Sequence, residues 1–312
     1  LSHPIIEVRR ESAITCCFLL LPTNMNRSTD SSPSFGNSSE PRSSSFTLPN
    51  NSHALSRRHI GSASQSVVEE VLLKLSQVSV SDPSPLVRQC VVCAFDRRYD
   101  PYLCQAHHLP PLFLLLQDES FVVRVAALRL LGRLSRLNPA PILPPLRRVL
   151  TELIIELRCG GDTGGGREAA TRLLVVFLRS ESLHRLVQPF LPSIIGSLPL
   201  KGVAPRLASA ALEALGELAQ VSRSSMSPWL GQLIPYLLET MQDQSSASKQ
   251  RTSFRTLGQL VGGTGYVISP YLDYPQLLPQ AAAVLPGTKR APWALRREVI
   301  RTFGILGALD PQ

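Results

Sequence analysis

The run Val123-Arg124-Val125-Ala126-Ala127-Leu128-Arg129-Leu130-Leu131-Gly132 decides the fold. Its apolar side chains at Val125, Leu128 and Leu131, continued by Leu134, recur every third residue and mark one face of a helix. Arg124, Arg129, Arg133 and Arg136 fall largely on the remaining surface. Leu, Ala and Arg are strong helix formers, and no Pro interrupts the run. Ala126, Ala127 and Gly132 are small enough for a second helix to come close. Asp118 stands upstream, where a carboxylate can cap the helix start, and Val123 opens the buried stripe. Asp82-Pro83 precedes Val87-Arg88 at a similar distance.

Further windows read alike: Arg167 to Val175, Ala208 to Gly216, Arg251 to Gly258 and Arg296 to Gly304. A weaker copy runs from Val87 to Asp96, and another, Val8 to Cys17, lies near the N-terminus. With the terminal Gly or its equivalent as anchor, the positions are 96, 132, 175, 216, 258 and 304. The steps are 36, 43, 41, 42 and 46 residues, mainly within the roughly 40–47 expected of HEAT or armadillo helix pairs. Partner helices lie between the windows, over Pro144-Pro145-Leu146 to Leu157, Pro192 to Leu198 and Trp229 to Met241. Each helix pair leaves an apolar face that only the next pair covers. The expected fold is therefore all-α: an α-solenoid of antiparallel helix pairs.

The 312 residues are 44% hydrophobic and 6% aromatic, with apolar material for an elongated core. The formal charge of +9 is spread along the chain, which weighs against one basic nucleic-acid block. Residues 1–22 read as a partial repeat and 67–312 as about six helix pairs. Between them, residues 23–66 hold fourteen Ser with Pro33, Pro41 and Pro49, a composition too polar to order itself. Ser32-Pro33 and the serines near Arg42 and Arg57-Arg58 are candidate phosphorylation sites. The longest apolar run, Cys16 to Leu21, stops at Pro22, far short of the roughly 20 residues of a membrane span. Six cysteines do not make a disulfide framework, and a reducing compartment, cytosolic or nuclear, is expected. A chain opening on Leu1 reads as part of something longer.

Three motifs invite chemistry. Cys90-x-x-Cys93 with Cys104-x-x-His107 and His108 has the outline of a zinc site. The competing reading is packing, since Cys90 and Cys93 alternate with Val87, Val91 and Ala94 on a helix and cysteine behaves as a small hydrophobe. Gly160 to Gly166 lacks the Lys and Ser or Thr of a phosphate loop, because Arg167-Glu168 follow, and reads as an inter-repeat loop. Gly262-Gly263-Thr264-Gly265 reads as a helix-terminating loop. His184 is a lone surface histidine, and Arg129, Arg133, Arg147 and Arg148 read as solvated helix faces. No kinase loop or nucleophile triad is legible. No catalytic, cofactor-binding or metal-ligating residue is assigned.

Longer motifs resemble one family. Gly216-Glu217-Leu218-Ala219-Gln220-Val221-Ser222, Thr256-Leu257-Gly258-Gln259-Leu260-Val261 and Thr264-Gly265-Tyr266-Val267-Ile268 are similar to the HEAT region of the target-of-rapamycin kinases. So are Tyr274-Pro275-Gln276-Leu277-Leu278, Arg296 to Arg301, and Gly304 to Pro311, in the same order. The resemblance covers about Val67 to Gln312 and implies an internal helical portion of a giant serine/threonine kinase. The catalytic domain of such a kinase binds ATP and magnesium, and this segment carries none of its residues. The implied partners are Raptor- or Rictor-type subunits and a second kinase copy in a dimer. The implied setting is cytoplasmic, at endomembranes through the complex, or nuclear. A free-standing HEAT adaptor for acidic proteins or nucleic acid is the alternative.

Overall fold

The computed structural model describes residues 3–20, 62–160, 165–243, 245–266, 269–285 and 292–306. The proposed phosphorylation sites around Ser32, Arg42 and Arg57-Arg58, the glycine run at 161–164, and the motif residues Val267, Ile268 and 307–311 lie outside them. Among the described residues there are helices and no strands. They divide into two compact units, Leu1–Ala94 and Phe95–Gln312.

The first unit holds α1 (Ile6–Leu20), α2 (Ser62–Ser81) and α3 (Pro85–Ala94), with α1 and α2 both packed on α3. Helix α2 starts at Ser62, ahead of Val67, so residues 62–66 are helical. Arg9 of α1 reaches the α2–α3 turn and grips Asp82 with two guanidinium nitrogens, at 2.8 and 3.1 Å. Its third nitrogen donates to the His3 and Pro4 carbonyls. Arg88 donates to the Asp82 carbonyl at 2.8 Å. Burial pushes the Asp82 carboxyl up, but Arg9, the Ser84 N–H and Arg88 outweigh it and hold it below its ordinary range.

The second unit is two layers of helices. In chain order it contains α4 (Asp100–Leu103), α5 (Leu109–Leu114), α6 (Phe121–Leu134), α7 (Pro139–Cys159), α8 (Gly166–Leu178), α9 (His184–Val187), α10 (Leu191–Ser197), α11 (Pro205–Ser222), α12 (Leu230–Gln242), α13 (Ala247–Thr264), α14 (Ser269–Asp273), α15 (Leu277–Ala283) and α16 (Trp293–Ile305). The helices quoted as windows form one layer: α6, α8, α11, α13 and α16 stack on one another in order. The partner helices form the other, with α5 on α6, α7 on α8 and α12 on α13. Burying a Leu or Phe completely stabilises by about 1.5–3 kcal/mol. Leu131, Leu174, Leu215, Leu257 and Val299 are each fully excluded from water, one per stacked helix.

The buried surface of α6 is wider than one stripe. Val123, Ala127, Leu131 and Leu134 are fully buried and Val125 only half so, because the helix is covered by α8 on one side and by α5 and the turn after it on another. Asp82 and Asp118 act in the turns just before α3 and α6. Each carboxylate accepts the backbone N–H two residues on, from Ser84 and Ser120, at 2.8 Å, and so shapes the turn that leads into the helix. Helix α7 opens at Pro139, earlier than Pro144, since Pro139 occupies the first turn where no N–H is needed. Pro144 and Pro145 then sit inside it.

Glycines mark the crossings. A Cβ on Gly132 would meet Ser180 Oγ at 2.5 Å, and one on Gly258 would meet Ile305 Cδ1 at 3.1 Å. One on Gly263 would meet the Ala219 carbonyl oxygen of α11 at 2.6 Å. Gly262 and Gly263 belong to α13, contrary to a loop reading of that run; only Gly265, at φ 75°, leaves the helix through the left-handed region. The Gly160–Gly166 segment joins α7 to α8 within one helix pair and not between pairs.

Candidate interaction surface

Because α11 is stacked between α8 and α13, Leu207, Ala211, Leu215 and Leu218 are buried, and its polar ridge faces outward. Glu213 and Glu217 sit one helical turn apart on that ridge. Arg179, just past the end of α8, donates to Glu213 at 2.5 Å and to Glu217 at 3.1 Å. From the other side Arg255 of α13 lies 3.7 Å from Glu217. Arg136 and Glu181 make a similar pair, at 3.0 Å, beside α6. Exposed pairs are worth about 0.2–1 kcal/mol each and weaken in salt. The exposed Arg136–Glu181 pair therefore adds little to stability, while the mostly buried Glu217 is held between Arg179 and Arg255, and together they present charged groups along the stack.

Exposed apolar and aromatic groups interrupt the charge. Trp293 is 66% exposed on α16 and stacks against Arg296, while Ile300 projects from the same helix. Arg147 lies over the Phe190 ring at 5.5 Å. Tyr236 of α12 is buried and its hydroxyl donates to the Leu200 carbonyl. Burial pushes that phenol up to about 12, so it stays a donor at every physiological pH.

The residues singled out in the sequence fare differently. Cys90 is half-buried on α3 and Cys93 is exposed, so Cys93 is not the core packer its helical position suggested. Burial pushes the Cys90 thiol up, which keeps it protonated. Cys104 donates to the Pro101 carbonyl at 3.4 Å, His107 is exposed and His108 is buried. Among the described residues no group of three or more His, Cys, Asp or Glu is placed to hold a metal. His184 is half-buried, not a surface residue: its Nε2 lies 2.8 Å from the Leu178 carbonyl at the end of α8.

Arg133 departs furthest from its sequence reading. It is no solvated arginine: its Nε lies 2.8 Å from both Asp100 carboxylate oxygens and its Nη2 donates to the Phe95 carbonyl at 2.5 Å. Asp100 is buried, and burial pushes its carboxyl up more than Arg133 pulls it back. Arg129 and Arg148 do face solvent, Arg148 paired with Glu152. The Asp100–Arg133 pair has no local signature, since 33 residues separate its members.

Comparison with known proteins agrees with this architecture. Residues 108–137, spanning α5 and α6, match the HEAT repeat family, and residues 267–312 match the serine/threonine-protein kinase mTOR domain. The chain is 37% identical over 247 residues to serine/threonine-protein kinase tor1 of Schizosaccharomyces pombe, covering 78% of this chain and 10% of that protein. It is 32% identical over 311 residues to serine/threonine-protein kinase TOR of Arabidopsis thaliana, covering 97% of this chain and 12% of the relative. The chain thus spans about a tenth of the length of these relatives. Among solved structures, Kap121p matches with a TM-score of 0.54 at 16% identity, over 79% of this chain and 25% of that one, a likeness of fold alone. No helix among the described residues is long and apolar enough to cross a membrane. Repeat order, stacked layers and collinear relatives together place the chain in the HEAT-repeat region of the target-of-rapamycin kinase family.

Proposed function

We propose that the chain is a non-catalytic scaffold segment of a target-of-rapamycin-type serine/threonine kinase, offering helix faces and turns to the other proteins of the complex in growth and nutrient signalling. The observation that carries this reading is the continuous stack from α6 to α16, whose cores are closed and whose outer ridge carries the Arg179–Glu213–Glu217–Arg255 ladder. A stack held by nearest-neighbour contacts keeps its curvature while its ridge residues vary, which suits docking. Raptor- or Rictor-type subunits and a second kinase copy are the proposed partners, in the cytoplasm, at endomembranes or in the nucleus. ATP and magnesium belong, on this reading, to a catalytic domain elsewhere in the kinase.

Co-purification tests it. The tagged chain, expressed in cells, is expected to bring down kinase-complex subunits, and Arg179→Gln with Arg255→Gln, which removes the charges without reversing them, to weaken that capture at a cost in stability of no more than about 1–2 kcal/mol. Recovery of no complex subunit by either protein would overturn the scaffold reading. The net charge of +9 favours a second reading, a free-standing HEAT adaptor for acidic proteins or nucleic acid. An antibody against residues 251–312 separates the two: a band of several hundred kilodaltons fits the kinase, one near 34 kDa the adaptor.

A further inference from the structure

Arg172 of α8, Arg206 of α11 and Arg251 of α13 come from three successive stacked helices and line one cleft of about 280 Å³. Ser209, Ser246, Ser248 and Thr252 add hydroxyls to the same wall, and Glu213 is the carboxylate on it. Both acidic groups in reach are already engaged: Glu213 by Arg179 at 2.5 Å, and Glu168 by Arg172 at 2.6 Å. Lys249, next in sequence to Ser248, is tied to Asp243 at 2.8 Å. Among the described residues Arg206 and Arg251 have no acidic partner, so the cleft keeps two uncompensated guanidinium charges. Arg206 also stands in the first turn of α11, where the helix dipole already disfavours a cation. An anion entering the cleft therefore meets two guanidinium groups that no carboxylate already holds.

We propose that this cleft binds the phosphoryl group of a phosphorylated serine or threonine in a partner polypeptide. Charge and donor count both select that group. A phosphomonoester carries about −1.5 to −2 at neutral pH, which matches the two free guanidiniums. Its three oxygens accept more hydrogen bonds than a carboxylate's two, and guanidinium forks with flanking hydroxyls supply them from several sides. The cleft has room for a phosphoryl head and its side chain but is smaller than a drug-sized pocket. The site is an addition to the scaffold reading and rests on its own residues.

The test titrates the whole chain, at fixed ionic strength, with a fluorescent peptide Gly-Ser-Gly-pSer-Gly-Ser-Gly and with the same peptide carrying Ser or Glu at the centre. The phosphopeptide is expected to bind about tenfold or more tighter than either, the range of charge-assisted hydrogen bonds, and to be competed by inorganic phosphate. R206A/R251A is expected to abolish the difference, and R129A/R148A, the same loss of charge elsewhere on the unit, to preserve it. All four arginines are exposed, so both double variants are expected to melt like the parent. Equal binding of the Ser or Glu peptide, or an unchanged affinity in R206A/R251A, overturns the proposal. Phosphate binding without phosphopeptide binding, or tighter variant-sensitive binding of duplex DNA, overturns the assigned occupant. Any of these failures leaves capture of complex subunits to be judged separately.

Discussion

The Thr256 hydroxyl of α13 donates to the Leu212 carbonyl of α11 at 2.7 Å, across the stack and 44 residues away in sequence. The next step repeats it: Thr302 of α16 donates to the Phe254 carbonyl of α13 at 2.9 Å. Each Thr lies two residues before its window's Gly, and each carbonyl four residues before the Gly of the preceding window. One bond thus sets the sliding position of each helix on the one before, at the level where the glycine lets them close. All four residues are buried.

Thr256→Val keeps the shape and removes the donor, leaving the Leu212 carbonyl without this partner in an apolar contact. Unfolding in urea should show a loss of about 0.5–1.5 kcal/mol, since the Leu212 carbonyl lies inside α11, against less than about 0.5 kcal/mol for Thr151→Val on the exposed face of α7. Equal midpoints for the two variants would mean that the inter-helix bond carries no net stability.

The glycines should rank by what they face. Gly263→Ala drives a methyl into the rigid Ala219 backbone and should cost about 1–3 kcal/mol. Gly216→Ala meets the end of the flexible Gln259 side chain and, at 3.3 Å, the Thr256 hydroxyl, but no backbone, and should cost less. Gly304→Ala meets nothing within 4 Å and should gain up to about 1 kcal/mol from helix propensity. Denaturation midpoints of the three variants check the order.

Arg133→Met should be far more damaging than Arg129→Met. It strips the buried Asp100 carboxylate of its counter-charge, a loss of about 3 kcal/mol, while the exposed Arg129 should change stability by less than about 0.5 kcal/mol. Melting curves read the difference directly.

Acid should loosen the first unit through Asp82. Its folded-state pKa lies below the unfolded value of about 3.9, so its contribution is complete above that value and is lost as pH falls through the folded pKa. Protection factors of the α1 and α3 amides, corrected for the intrinsic pH dependence of exchange, should therefore fall below about pH 4. Asp82→Asn should be less protected at neutral pH and lack that part of the acid dependence. An unchanged profile in the variant would remove Asp82 from the account.

Much of the helical order was legible because it is local. The windows ending at Gly132, Gly216, Gly258 and Gly304 repeat because each helix must present the same surfaces to two neighbours, and that demand recurs with every pair. Reading α6 as a single stripe missed its width, since periodicity reports one face while a stacked helix is covered on more than one. Pro144 looked like a helix start because proline breaks helices on average; Pro139 already occupied the first turn. Cys93 looked buried because it shares its helix with Val87, Val91 and Ala94, although the side chain is exposed.

Alone, the sequence determined the helical class, the repeat period and the family, because 3.6-residue periodicity and collinear motifs are properties of neighbouring residues. Tertiary structure decided what each arginine does. Arg9 and Arg133 clamp buried carboxylates, Arg179 and Arg255 flank a ridge of glutamates, and Arg206 and Arg251 are left with Arg172 around one cleft. A guanidinium looks the same in every window. Its role depends on which carboxylate or carbonyl lies within about 3 Å, and the stacking of helices some forty residues apart sets that distance.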